Sequence, residues 1–110
     1  MKKLITVGVA AAFALTALAA VGAAADKDPG DKGEELFENH CAVCHPGGGN
    51  IINPAFTLHK KDRDKHGVTT AKDIIDKMRN PGPGMTKFDK NTISNKDAKA
   101  IADYVLKTFN

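Results

Sequence analysis

The residues able to do chemistry crowd into one run, His40-Cys41-Ala42-Val43-Cys44-His45, followed by Pro46 and the glycines Gly47 to Gly49. On a helical turn Cys41 and Cys44 are i, i+3 and His45 is i+4 from Cys41, so all three project to roughly one side. Two thiols and an imidazole so placed suit covalent attachment of a haem. The thiols add to the two vinyl groups along one porphyrin edge, and the imidazole reaches the iron. C-x-x-C-H is the sequence form of that attachment. Two other readings compete. A thioredoxin-type disulfide also uses C-x-x-C, but it expects a βαβ context, and no alternating strand pattern is present. A zinc site needs a second ligand pair, and His59 and His66 are seven apart, outside the usual H-x3–5-H spacing. The context favours one haem c, with Cys41 and Cys44 as its thioether links and His45 as the proximal iron ligand.

A haem held by His45 leaves one iron position to fill. Met78 lies one turn from Ile74 and Ile75 on an apolar helix face, where a core role is expected of it. Met85 sits in PGPGMTKF, a loop in which an isolated apolar side chain needs a reason. Gly82 and Gly84 there let the backbone approach a flat ring closely. His40 is too near Cys41 to cross to the other haem face. His59 and His66 flank HKKDRDKH, which reads as a solvated face, and either would make a bis-histidine site. Met85 is the predicted distal ligand, and a thioether raises the potential relative to a second histidine.

These residues need a scaffold, and the sequence predicts an all-α one. A first helix is expected from about Lys32 to Cys44, with Gly33, Phe37 and Cys41 on one stripe, stopped by His45-Pro46. A second has Thr70 as N-cap and Asp73 three residues on, approximating a capping box, and ends at Asn80-Pro81. A third opens at Ser94 with Asp97 in the same arrangement, and Ala98, Ile101, Ala102 and Val105 recur at helical spacing. The stretch between the first two reads as loop, with a short helical turn around Thr57 to Lys61.

The chain has 110 residues and a formal net charge of +3. Residues 1–25 read as a cleaved secretory signal peptide: Lys2 and Lys3 precede an uncharged apolar stretch that ends in Ala23-Ala24-Ala25, an A-x-A cleavage site. A retained membrane anchor is the alternative, since the stretch is long enough to span a bilayer. The expected mature domain is residues 26–110. Without Lys2 and Lys3 it carries fourteen basic and thirteen acidic residues, a net of +1, which gives no support for nucleic-acid binding. So small a domain has a thin core of its own. A haem would supply the missing apolar bulk.

The sequence resembles the class I monohaem cytochromes c, and within them the cytochrome c6 family, over nearly the whole mature chain. GxxLFxxxCxxCH is present as Gly33, Leu36, Phe37, Cys41, Cys44 and His45. A GG-N-P-TL run follows as Gly47, Gly48, Asn50, Pro54, Thr57 and Leu58. Then come Ile74, Ile75, Asn80, Met85 and Phe88, and finally Ala102, Tyr104 and Val105. The resemblance implies the cytochrome c fold: three main helices and long loops around one haem, with Gly33 and Phe37 crossing against Tyr104. It implies that Asn50 and Pro54 belong to the haem surroundings and that the Pro54 carbonyl accepts the His45 Nδ1–H. Three features depart from the family pattern. Thr86 stands where proline usually follows the ligand methionine, PGPG replaces the usual approach to it, and Lys77 occupies a place where the family often has glutamine.

The function expected is that of a single-electron carrier with no substrate chemistry of its own, periplasmic or otherwise exported. It is expected to be a soluble monomer that docks transiently with redox protein donors and acceptors, without nucleic acid and without membrane insertion after cleavage. The competing function is a haem-based gas or small-ligand sensor in which Met85 binds weakly and is displaced. A peroxidase-like enzyme would need an open distal pocket with acid–base groups, for which one small domain has little room.

Overall fold

The computed structural model describes Gly8 and residues 28–110, so the predicted leader and its cleavage at Ala25 lie outside the described residues. Four helices follow in order: α1 (Pro29–His40), α2 (Lys60–Lys65), α3 (Ala71–Arg79) and α4 (Asn95–Thr108), with a 3₁₀ turn at Pro46–Gly48. No strand occurs among the described residues, and no helix there is long and apolar enough to cross a membrane. The all-α expectation holds.

Local chemistry explains each boundary. The Asp28 carboxylate caps α1 by accepting the Gly30 N–H at 3.2 Å, and Pro29 occupies the first turn, where its missing N–H costs nothing. This cap starts α1 three residues before the expected Lys32. Its end comes earlier too, at His40 rather than Cys44, with Cys41 as the C-cap at φ −119° and ψ −38°. Both halves of the capping box predicted for α3 form between Thr70 and Asp73. Ser94 caps α4 by accepting the Asp97 N–H at 3.1 Å. The turn expected around Thr57 to Lys61 is displaced to α2.

The core lies where α1 crosses α4. A Cβ on Gly33 would stand 2.4 Å from the Ala100 carbonyl oxygen, so only glycine allows this approach. One turn on, the Phe37 ring packs between Tyr104 and Phe109, with both ring centroids 5.3 Å away. Ile93, Ile101 and Val105 fill in behind, and α3 adds Ile74 and Met78. Met78, 3 % exposed, has the core place expected of it. The crossing of Gly33 and Phe37 against Tyr104 is as the resemblance implied.

Candidate functional site

Beyond this core the loops and helices enclose a cavity of about 510 Å³, within the range of small-ligand sites. Cys41, Cys44 and His45 all line it, as do Asn50 and Met85. The run that carries the first three leaves α1 as an irregular turn: the Cys44 N–H reaches the Cys41 carbonyl at 3.1 Å and the His45 N–H reaches it at 2.8 Å. That turn keeps both thiols and the imidazole together although the helix itself has ended. Both thiols are free. Burial pushes the Cys41 thiol up to about 11, which keeps it protonated at neutral pH.

The imidazole is oriented by a hydrogen bond. His45 Nδ1 lies 2.7 Å from the Gly49 carbonyl oxygen. A carbonyl only accepts, so Nδ1 carries the proton and Nε2 keeps its lone pair for a metal. This corrects the expectation for Pro54. The glycine run turns back on the ring, with Gly47 at φ 61° and Gly48 at φ 81°, and brings its own carbonyl into place first. Pro54 is exposed and does not line the cavity.

Asn50 holds the next loop. Its Oδ1 accepts the N–H groups of Ile52 and Asn53, at 3.0 and 2.9 Å, and its Nδ2 donates to the Phe56 carbonyl at 2.9 Å. One side chain thereby folds residues 51–56 over the cavity mouth. Phe56 stacks on His66, centroids 4.0 Å apart, and both line the cavity.

Met85 reaches the same cavity from the loop between α3 and α4 and is 36 % exposed. Gly84, at φ 89°, lets the backbone turn there beside Ile52 of the facing loop. Arg79 fastens the returning limb: its Nη1 donates to the carbonyls of Phe88 and Ile93, at 3.1 and 2.8 Å, and its Nη2 to Asn95 Oδ1 at 3.1 Å. The Phe88 N–H adds a bond to the Met78 carbonyl at 2.9 Å. Sequence reasoning missed Arg79, whose partners are nine to sixteen residues away and follow no helical spacing.

It also misread Arg63. The run HKKDRDKH contains α2, and although most of it is solvated as expected, Arg63 is 5 % exposed and lines the cavity. Lys77 lines it too, from α3. Among the described residues no three His, Cys, Asp or Glu side chains gather as a metal cage. The donor set fits a haem instead. Two thiols, one oriented imidazole and one thioether share a single cavity walled by apolar side chains such as Phe37, Leu58, Ile74 and Val105.

Comparison with known proteins identifies the family. Residues 28–105 match the family described as cytochrome C oxidase, cbb3-type, subunit III. Cytochrome c6 of Synechocystis is 38 % identical over 74 residues, a match covering 67 % of this chain and 61 % of that protein. The chain therefore spans less than two thirds of that relative. Cytochrome c6 of Microcystis aeruginosa is 36 % identical over 74 residues, covering 67 % of this chain and 90 % of that one. Among solved structures, OmcF, the outer membrane cytochrome F of Geobacter sulfurreducens, superposes with a TM-score of 0.69 at 45 % identity, over 71 % of this chain and 99 % of that one. The chain belongs to the class I monohaem cytochromes c, in the cytochrome c6 family, whose members carry one covalently bound haem c.

Proposed function

We propose that the chain is an exported single-electron carrier whose haem is linked through Cys41 and Cys44 and ligated by His45 and Met85. The observation that carries this reading is the shared cavity. An imidazole with its Nδ1–H already committed and a thioether from a loop forty residues later line the same space, together with the two thiols.

When bound, the haem supplies the one-electron couple, and the protein's part is to hold everything else still. Cys41 and Cys44 anchor the group to the turn after α1. The Gly49 carbonyl keeps the His45 ring in one tautomer and one orientation. Arg79 restrains the loop that carries Met85. Apolar walls keep water away and lower the local dielectric, which sets the potential together with the ligand pair. A site so restrained changes little between oxidation states, which suits rapid transfer to a docked partner. No residue around the cavity is assigned a substrate reaction.

Partners are redox proteins that dock transiently. The exposed apolar side chains Val43, Ile51, Ile52 and Phe56 and the lysines of α2 offer them a mixed surface. Weak, salt-sensitive association with an acidic partner is expected from the latter.

The test is the visible spectrum of the ferrous, haem-loaded chain before and after carbon monoxide. An unchanged low-spin spectrum fits a firmly held sixth ligand and the carrier reading. Ready conversion to a carbonyl spectrum would overturn it in favour of a ligand-binding sensor. Substituting Met85→Ala should allow that conversion and lower the potential.

A further inference from the structure

The loop that carries Met85 has little to hold it on its upstream side. Pro81 and Pro83 have no N–H to donate. Among the described residues, the backbone from 81 to 87 makes one hydrogen bond. It runs from the Met85 N–H to the Gly82 carbonyl at 3.4 Å, long for its kind. Arg79 fastens the limb after Met85, not the residues before it. Across the cavity mouth stands Ile52. A Cβ built on Gly84 would lie 3.1 Å from Ile52 Cγ2, and no other atom beyond Gly84 and its two chain neighbours comes within 4 Å of that point. Ile52 is 61 % exposed and yet lines the cavity, whereas Ile51, exposed to the same degree, does not.

The segment that presents Ile52 is the stiffer of the two. At its start the Ile51 N–H donates to the Cys44 carbonyl at 3.0 Å, which ties it to the turn that carries the thiols. Asn50 bonds to it at three points, and Asn53 Oδ1 accepts the Ala55 N–H at 3.2 Å. At its far end Phe56 stacks on His66, whose Nε2 lies 3.1 Å from the Ala55 carbonyl oxygen. A carbonyl only accepts, so Nε2 carries the proton there.

We infer that Ile52 is a positioning residue for Met85. It braces Gly84, one residue before the thioether, from the opposite lip of the cavity, and so slows departure of the sulfur from the iron. The inference rests on Met85 as the distal ligand, as proposed above. A loosely tied loop that meets a stiff one loses conformational freedom through van der Waals contact alone, with no polar bond between them. The contact depends on glycine at position 84, since a side chain there would press on Cγ2 and φ 89° disfavours one. It also links the two sides of the site. Ile52 stands on the run that follows His45, so the proximal segment helps to hold the distal one.

The experiment uses the full, haem-loaded chain in its ferrous form, mixed with saturating carbon monoxide. The gas then binds no faster than the thioether leaves, so the limiting rate reads the opening of the Met85 loop. Ile52→Ala removes Cγ2 and should raise that rate about tenfold. Ile52→Val keeps Cγ2 and loses only the outer methyl, so it should retain the wild-type rate. A slow Ile52→Ala would overturn the inference and leave Ile52 a surface residue for partners only. A fast Ile52→Val would overturn it too, because the Cγ2 contact would not be what holds the loop. Should Ile52→Ala take up no haem, Ile52→Ser against Ile52→Thr makes the same comparison, since only threonine keeps Cγ2. The ligand assignment is tested separately by Met85→Ala. If its spectrum and rate are those of the wild type, Met85 is not the ligand, a result that does not depend on either Ile52 variant.

Discussion

Gly48 and Phe109 are in such close contact that a Cβ on the glycine would lie 2.4 Å from Cδ1 of the phenylalanine. The loop that follows the CxxCH run is thus seated on the last turn of the chain. Phe109 also packs on Phe37 and Tyr104, and its carbonyl accepts from the Lys60 N–H and from Arg63. One C-terminal residue therefore joins the proximal loop, α1, α2 and α4.

Gly48→Ala should be among the most harmful single-methyl changes in this protein. At φ 81° an alanine is strained, and its methyl collides with the Phe109 ring. The two effects together should cost about 2–4 kcal/mol. Denaturant midpoints of the two haem-loaded proteins measure it, and a loss below about 1 kcal/mol would mean that the ring yields easily.

The two methionines of the mature domain should separate cleanly. Met78→Ala empties a buried core position and should cost about 2–5 kcal/mol of stability while leaving the ligand spectrum unchanged. Met85→Ala removes an exposed side chain from a loop and should cost less stability but open the iron to carbon monoxide. A spectrum that changes with Met78 and not Met85 would exchange their assignments.

Arg79→Ala should loosen the Met85 loop without touching Met85. Three hydrogen bonds from one cation are lost, two of them to backbone carbonyls. A loss of about 2–3 kcal/mol is expected, with faster carbon monoxide binding to the ferrous protein. Binding as slow as in the wild type would show that the loop holds its shape through other contacts.

Acid should weaken the cap of α3. The N–H groups of Thr69 and Thr70 donate to the Asp73 carboxylate and hold it below the ordinary carboxylate range. A pKa depressed by folding means that its contribution is present in full above the unfolded value, about 4, and is lost as pH falls through the lower folded value. Asp73→Ala should therefore be less stable than the wild type at pH 7, and the gap should narrow below about pH 4. Urea midpoints at both pH values give the answer, and a gap independent of pH would remove the carboxylate from the account.

Much of this protein was legible in its sequence because its signals are local. The Thr70 and Ser94 caps, the Asn80-Pro81 stop and the apolar spacing of α3 and α4 all act within one or two turns and appear where local rules put them, and CxxCH is legible as a motif although α1 ends before it. Gly33 was legible too, through family resemblance. The tertiary structure decided what depends on partners distant in sequence. Gly49, not Pro54, meets His45, because two left-handed glycines curl the loop back upon the ring. Arg79 grips residues on the far side of its loop, and Arg63 is buried within a run of charges because the Phe109 carbonyl arrives to receive it. A charged side chain in a polar run reads as solvated until the fold brings another segment over it, and no periodicity records that encounter.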